Sequence, residues 1–293
     1  MAALTISYLS LSYLLIGFKP EQLFLTVLIN SLYFASFKTR KFVSGFSIFI
    51  LYWVIFDYMK AYPNYSFSNV HIADLYCVEK SLFGISANGT ILTPNEYCHL
   101  YQNSFLDIIS GFFYLMWVPV PLIFAAYLFF QKPVEFYHFA LTFLVTNLIG
   151  FLVYYLYPAA PPWYVQLNGF TFYASTPGNT AGLARFDHFF GVHVFDALYA
   201  KSSNVFAAMP SLHSSYPLLV LYYGIRIGLK NVNLIFLIIS AGIWFAAIYT
   251  SHHYLLDVIA GIICAGAGIG FFNILLKFTV VKRTIAKLVA TNT

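Results

Sequence analysis

The sequence predicts an all-α polytopic membrane protein, and three observations carry that prediction. Hydrophobic residues fill 60% of the 293 positions and charged residues only 9%, against about 25% charged in an ordinary soluble domain. The apolar residues gather in long runs of roughly 17 to 25 positions, the length that crosses a bilayer core as a helix. The basic residues are sorted between loops in the way the positive-inside rule describes.

Eight apolar runs can be drawn, at about 2–18, 21–37, 42–59, 105–130, 135–157, 210–229, 231–250 and 253–277. Only Lys19-Pro20-Glu21 separates the first two, so residues 1–41 read as an N-terminal transmembrane hairpin. The first run also has the form of an uncleaved signal anchor, since no small-residue cleavage site follows it. Residues 42–280 read as one six-helix membrane domain with outer loops 60–104 and 158–209, and 281–293 as a cytoplasmic tail. Loop 60–104 is too long for a simple turn, and its apolar pieces favour a cap packed on the membrane surface. Cys77 and Cys98 both fall in it, and either a disulfide or two free thiols fits that placement. Cys264, inside the last run, reads as a small apolar residue. The sequons at Asn64 and Asn88 have meaning only in a eukaryotic host. The run 135–157 must stop at Pro158-Ala159-Ala160-Pro161-Pro162, because three prolines cannot continue a helix. Trp163 and the many tyrosines read as interface anchors.

With both termini inside, Lys38, Arg40, Lys41, Lys132, Arg226, Lys230, Lys277, Lys282, Arg283 and Lys287 face the cytoplasm. Lys19, Lys60, Lys80, Arg185 and Lys201 remain outside. The net charge of +5 is thus a topological signal and not a nucleic-acid footprint. Loop 158–209 then lies on the outer side, and it concentrates Arg185, Asp187, His188, His193, Asp196 and Lys201 in an otherwise apolar chain.

Two short segments sit where apolar runs begin: Pro210-Ser211-Leu212-His213 and Ser251-His252-His253-Tyr254-Leu255-Leu256-Asp257. Ionisable groups near a membrane are costly and tend to be functional. On a helix, His253 and Asp257 would share a face, the carboxylate holding one imidazole nitrogen while the other acts as nucleophile. His213 supplies a second imidazole for proton transfer. Ser211 reads as the N-cap of the helix that follows, leaving backbone N–H groups aimed at an anion. Arg185 is the preferred side-chain clamp for a phosphate because it binds in a bidentate way, and Lys201 is the second candidate. Asp187 reads either as a contact to a polyol hydroxyl or as a structural partner of Arg185. His252 points about 100° away from His253 on a helix and reads as interfacial. His188, His193 and Asp196 read as loop-fixing groups. No His-x-x-x-His pair or cysteine cluster supplies a compact zinc site.

The PSLH and HHYxxD segments resemble the second and third signature motifs of the type-2 phosphatidic-acid-phosphatase superfamily. The third motif of that family carries a Ser-Arg pair ahead of its His and Asp; here those positions read Ala246-Ala247. The basic first motif has no counterpart near residues 153–161. In its place stand the Pro158 to Trp163 stretch and Ala181-Gly182-Leu183-Ala184-Arg185-Phe186-Asp187. These departures are similar to the inositol phosphorylceramide synthase branch and its bacterial relatives. The resemblance, over about residues 100–275, implies a six-helix catalytic core. It also implies a phosphotransferase that moves a phosphorylated head group, phosphoinositol first among the options, from a glycerophospholipid to a ceramide-like hydroxyl. His253 would form a phosphohistidine, Asp257 orient it, and His213 shuttle the proton, with no cofactor and no metal. A lipid phosphate or diphosphate phosphatase built on the same residues is the alternative. A transporter fits less well, since the polar groups gather at one surface. A serine protease using Ser211 lacks an exposed-nucleophile turn. The expected partners are lipids alone, and the expected location is an extracytoplasmic active site, with a bacterial inner membrane favoured.

Overall fold

The computed structural model describes residues 1–174, 176–200 and 204–292. The helices follow the apolar runs. The N-terminal pair is α1 (Ala2–Ile16) and α2 (Pro20–Ala35), followed by α3 (Phe37–Tyr58). The outer loop that follows is structured: α4 (Ala73–Phe83), a β1–β2 hairpin (Ile85–Ala87 and Thr90–Leu92) and α5 (Pro94–Leu100). Then come α6 (Ser104–Leu115), α7 (Pro119–Gln131) and α8 (Pro133–Leu156). The second outer loop holds α9 (Pro162–Asn168), α10 (Ala184–Phe190) and α11 (Val194–Tyr199). The chain closes with α12 (Leu212–Arg226), α13 (Val232–Tyr249), α14 (Leu255–Leu275) and α15 (Thr279–Asn292).

Among the described residues, five stretches are long and apolar enough to cross a membrane: Phe37–Ala61, Ser104–Gln131, Pro133–Leu156, Val232–Tyr249 and Leu255–Leu275. The stretch Ser104–Gln131 comprises α6 and α7, parted just before Pro119, which starts α7 without needing an N–H partner. Helices α1, α2 and α12 occupy the remaining predicted runs but have only 15, 16 and 15 residues. Helix α12 is shortened at its start by Pro210, and it lies at the centre of the molecule against α8, α13 and α14.

Small residues set the central packing. A Cβ on Gly261 would stand 2.2 Å from the carbonyl oxygen of Ser211, and one on Gly268 would stand 2.0 Å from Thr146 Oγ1. Their absence lets α14 lie against α12 and α8 at backbone contact, the usual device where lipid provides no hydrophobic drive between helices. Ser215 then donates its hydroxyl to the Gly261 carbonyl at 2.6 Å. The aromatic core lies between α3, α7, α8 and α12, with Phe49, Phe136, Phe139 and Tyr223 buried within it. Residues 281–292 of the segment expected as a tail belong to helix α15, whose Ile285 joins this core. Its Asn292 donates to Tyr137 Oη at 2.7 Å.

The two outer loops interlock. Pro158 accepts from the His71 N–H at 2.8 Å, Ala160 donates to the His71 carbonyl at 3.0 Å, and Ala159 donates to the Phe206 carbonyl at 2.8 Å. The proline-rich segment therefore ends α8 and becomes the middle strand of a short parallel ladder. Asn64 closes the same junction, donating to the carbonyls of Tyr154 and Phe206. Cys77 and Cys98 are free thiols.

Candidate active site

The turn between α13 and α14 is the centre of the site. Ser251 sits there in the left-handed region at φ 61°, a conformation that costs a non-glycine residue energy and persists only when its surroundings hold it. Four outer-loop groups do so. Trp163 N–H donates to the Ser251 carbonyl at 3.0 Å, and Gly182 N–H to the Thr250 carbonyl at 2.9 Å. Asn95 donates both amide hydrogens, to the carbonyls of Ile248 and His253, each at 2.8 Å. Glu79, fully buried, accepts from the N–H groups of Leu255 and Leu256 at 2.9 and 3.0 Å. That carboxylate fills the role of an N-terminal cap, meeting donors that have no partner inside α14. Burial raises the Glu79 carboxyl above its ordinary range, with the two N–H groups working against that rise.

His253 and Asp257 meet, but not on one helix face as the sequence suggests. Helix α14 begins at Leu255, and His253 stands in the turn before it. Asp257 is its third residue and reaches back, so that Oδ2 accepts from Tyr254 N–H at 2.8 Å and lies 3.5 Å from His253 Nδ1. Its backbone carbonyl accepts from Ser211 N–H at 2.9 Å, which ties the two motif segments together. His253 Nε2 lies 3.1 Å from His213 Nδ1. At 3.5 Å from Asp257 Oδ2, His253 Nδ1 has no hydrogen-bond partner among the described residues; once Asp257 accepts from Nδ1–H, Nε2 carries the lone pair and the shared hydrogen belongs to His213. Tyr114 Oη stands 3.3 Å from the same His213 nitrogen, and Trp117 packs edge-on to the ring at 4.5 Å. Burial lowers the pKa of His253 to about 4, so the imidazole is neutral at physiological pH.

A cavity of about 780 Å³ opens onto His213 and His253, and aromatic side chains including Tyr52, Trp53, Trp117 and Trp163 line much of it. This matches the mostly apolar, concave form of a small-molecule site.

Several sequence expectations need correction. Arg185 does not fold over His253. Its Nε donates to Asp107 Oδ1 at 2.6 Å and its guanidinium stacks over Tyr249, so it is not among the residues lining the cavity. Asp187 touches neither Arg185 nor the cavity: it is buried and accepts from the N–H groups of Phe195 and Asp196, capping α11. Ser211 stands at the N-cap position of α12 but makes no side-chain cap; its hydroxyl accepts from Ser214. His252 is not interfacial. It is buried, borders the same cavity between Tyr114 and Tyr199, and pairs with Thr250 Oγ1 at 3.0 Å. Burial, reinforced by the two neighbouring histidines, holds its pKa well below the ordinary imidazole range. Trp163 is a buried wall of the site and not an interface anchor. His193 and Asp196 lie 3.8 Å apart on the surface. Lys201 lies outside the described residues.

Glu79, Asn95 and Tyr114 were not singled out by the sequence. The first two are polar residues in a loop read only as a cap, and Tyr114 is one tyrosine among 24.

Comparison with known proteins places the chain in a family. A profile described as the PAP2 superfamily matches residues 94–271, which contain both histidine segments. The phosphoinositol dihydroceramide synthase of Bacteroides thetaiotaomicron is 46% identical over 269 residues, covering 91% of this chain and 88% of that protein. The inositol phosphorylceramide synthase catalytic subunit of Saccharomyces cerevisiae is 31% identical over 216 residues, covering 72% of this chain and 52% of that one. The inositol phosphorylceramide synthase of Candida albicans is 31% identical over 156 residues, half of this chain and 33% of its own. The chain thus spans most of the bacterial relative, about half of the Saccharomyces protein and a third of the Candida one. No solved structure matches it. With the profile running from Asn95 through Asp257 and the bacterial relative aligned along nearly the whole length, the chain belongs to the PAP2 superfamily.

Proposed function

We propose that the protein is a membrane phosphotransferase that moves phosphoinositol from a glycerophospholipid to a ceramide-like lipid. The observation that carries the reading is the His213–His253–Asp257 cluster on the wall of a large aromatic cavity. The names of the relatives, synthases of inositol-phosphate esters of ceramide-type lipids, support the head group and the acceptor. In the first half-reaction His253 Nε2 attacks phosphorus, forming the N–P bond as the bond to the diacylglycerol oxygen breaks. The leaving oxygen takes a proton from His213, whose imidazolium is stabilised by the entering phosphodiester anion. In the second, neutral His213 takes the proton of the ceramide-like hydroxyl. That oxygen attacks phosphorus, the N–P bond breaks, and His253 is regenerated. Asp257 holds the tautomer and balances the imidazolium charge. The first N–H groups of α12, at Leu212 and His213, are the backbone donors for the phosphate oxygens. Tyr114, at 3.3 Å from His213, positions its ring.

The active site faces the extracytoplasmic side in this proposal, because the loops that build it hold few of the basic residues. The deciding experiment uses purified enzyme with labelled phosphatidylinositol, with and without ceramide. A new phospho-sphingolipid that requires ceramide and is lost in His253→Ala is expected. Head-group release without ceramide, or phosphate release from phosphatidic acid, would assign the cluster to a hydrolase instead.

A further inference from the structure

The catalytic cavity continues past the histidines to a wall that the family-wide segment does not supply. Residues 94–271 carry the histidines, whereas Lys19, Glu21, Gln22, Asp57 and Lys60 on the same cavity come from the N-terminal hairpin, the last turn of α3 and the short turn after it. In an aromatic enclosure these are an unusual set. Asp57, only 7% exposed, accepts from Lys60 Nζ at 2.8 Å. Gln22 is 2% exposed; its Oε1 accepts from Lys19 N–H at 3.2 Å, and its buried Nε2 has no hydrogen-bond partner among the described residues. Asn204, on the same cavity, has a buried Oδ1 that is likewise unpartnered.

A buried amide left without a partner costs about 1–3 kcal/mol, so this wall is poorly suited to an acyl chain. It offers a donor, an acceptor, a carboxylate and an ammonium together. Hydroxyl groups each donate and accept, and a ring of them with one attached phosphate satisfies all four kinds of group at once. We propose that Gln22, Asp57, Lys60 and Asn204 form a polyol subsite that holds an inositol-type head group while its phosphorus sits at His253. The proposal rests on the phosphotransferase reading above and extends it. Between the two half-reactions the head group stays covalently on His253, and a subsite anchoring the ring would keep it aligned until the second hydroxyl arrives.

The test compares wild type with Gln22→Glu and Asp57→Asn. Gln22→Glu keeps the oxygen that accepts from Lys19 and removes the amide donor. Both are assayed with phosphatidylinositol and phosphatidylglycerol as donors and ceramide as acceptor. Each variant is expected to raise KM for phosphatidylinositol at least about tenfold with kcat little changed, and to narrow the preference over phosphatidylglycerol by a similar factor. Variants with wild-type KM and wild-type donor preference overturn the subsite while leaving the transferase intact. A wild-type enzyme that transfers nothing to ceramide overturns both. Competition on the wild-type enzyme settles the matter independently of variant folding. Soluble inositol 1-phosphate should inhibit at least about tenfold better than glycerol 3-phosphate, and equal inhibition overturns the proposal.

Discussion

Asn95 braces the histidine turn without any charge, since its one amide group spans the carbonyls of Ile248 and His253. Asn95→Leu removes both donors; the Ile248 carbonyl keeps the Ser251 N–H, while the His253 carbonyl loses its amide partner at a cost of about 1–3 kcal/mol. A fall in the thermal midpoint in detergent and at least about tenfold loss of transfer are expected; an unchanged midpoint would show that the turn holds itself. His252 and His253 make a second prediction, about pH. Burial lowers both pKa values, His253 to about 4, so below about pH 6.5 the unfolded chain binds protons that the folded one refuses. Stability is therefore whole above pH 7 and declines as pH falls toward 4, by up to about 1.4 kcal/mol per pH unit for each histidine. Denaturation in detergent at stepwise pH measures the slope, which should shrink in His252→Gln. The sequence made His213, His253 and Asp257 legible because motif and chemistry coincide there. It could not show that Arg185 is committed to Asp107, a partner 78 positions away, because a cation count carries no pairing information.

At the scale of elements, the run boundaries were readable because prolines and charges interrupt them, as at Pro133 and Pro158. What the runs could not reveal is how closely the helices approach. Gly268 and Gly266 look alike in the sequence, yet a Cβ at Gly268 would collide with Thr146 while one at Gly266 meets nothing within 4 Å. Gly268→Ala should destabilise by about 1–3 kcal/mol through overpacking. Gly266→Ala should be neutral or slightly stabilising, because alanine is the better helix former. Thermal midpoints of the pair in detergent check the contrast. The secondary structure of loop 60–104 was equally hidden: its short helices and hairpin have no long apolar period, and their contacts reach residues more than 150 positions away.

Considered whole, the molecule is a bundle whose outer loops interlock at one end and whose α15 packs against α3 and α8. Its orientation can be read with its own thiols: Cys77 is exposed, Cys98 partly covered with its thiol pKa raised by burial, and Cys264 buried. A membrane-impermeant maleimide applied to spheroplasts should label Cys77 before Cys98 and leave Cys264 untouched. Labelling only after inside-out vesicles are made would reverse the proposed topology. The Asn95 clamp also bears on biosynthesis. The residue it holds emerges 158 positions later in the chain, so translation has reached residue 253 of 293 before the amide can meet both its carbonyls. Until then the Asn95 side chain has no turn to hold, so this contact forms late in biosynthesis.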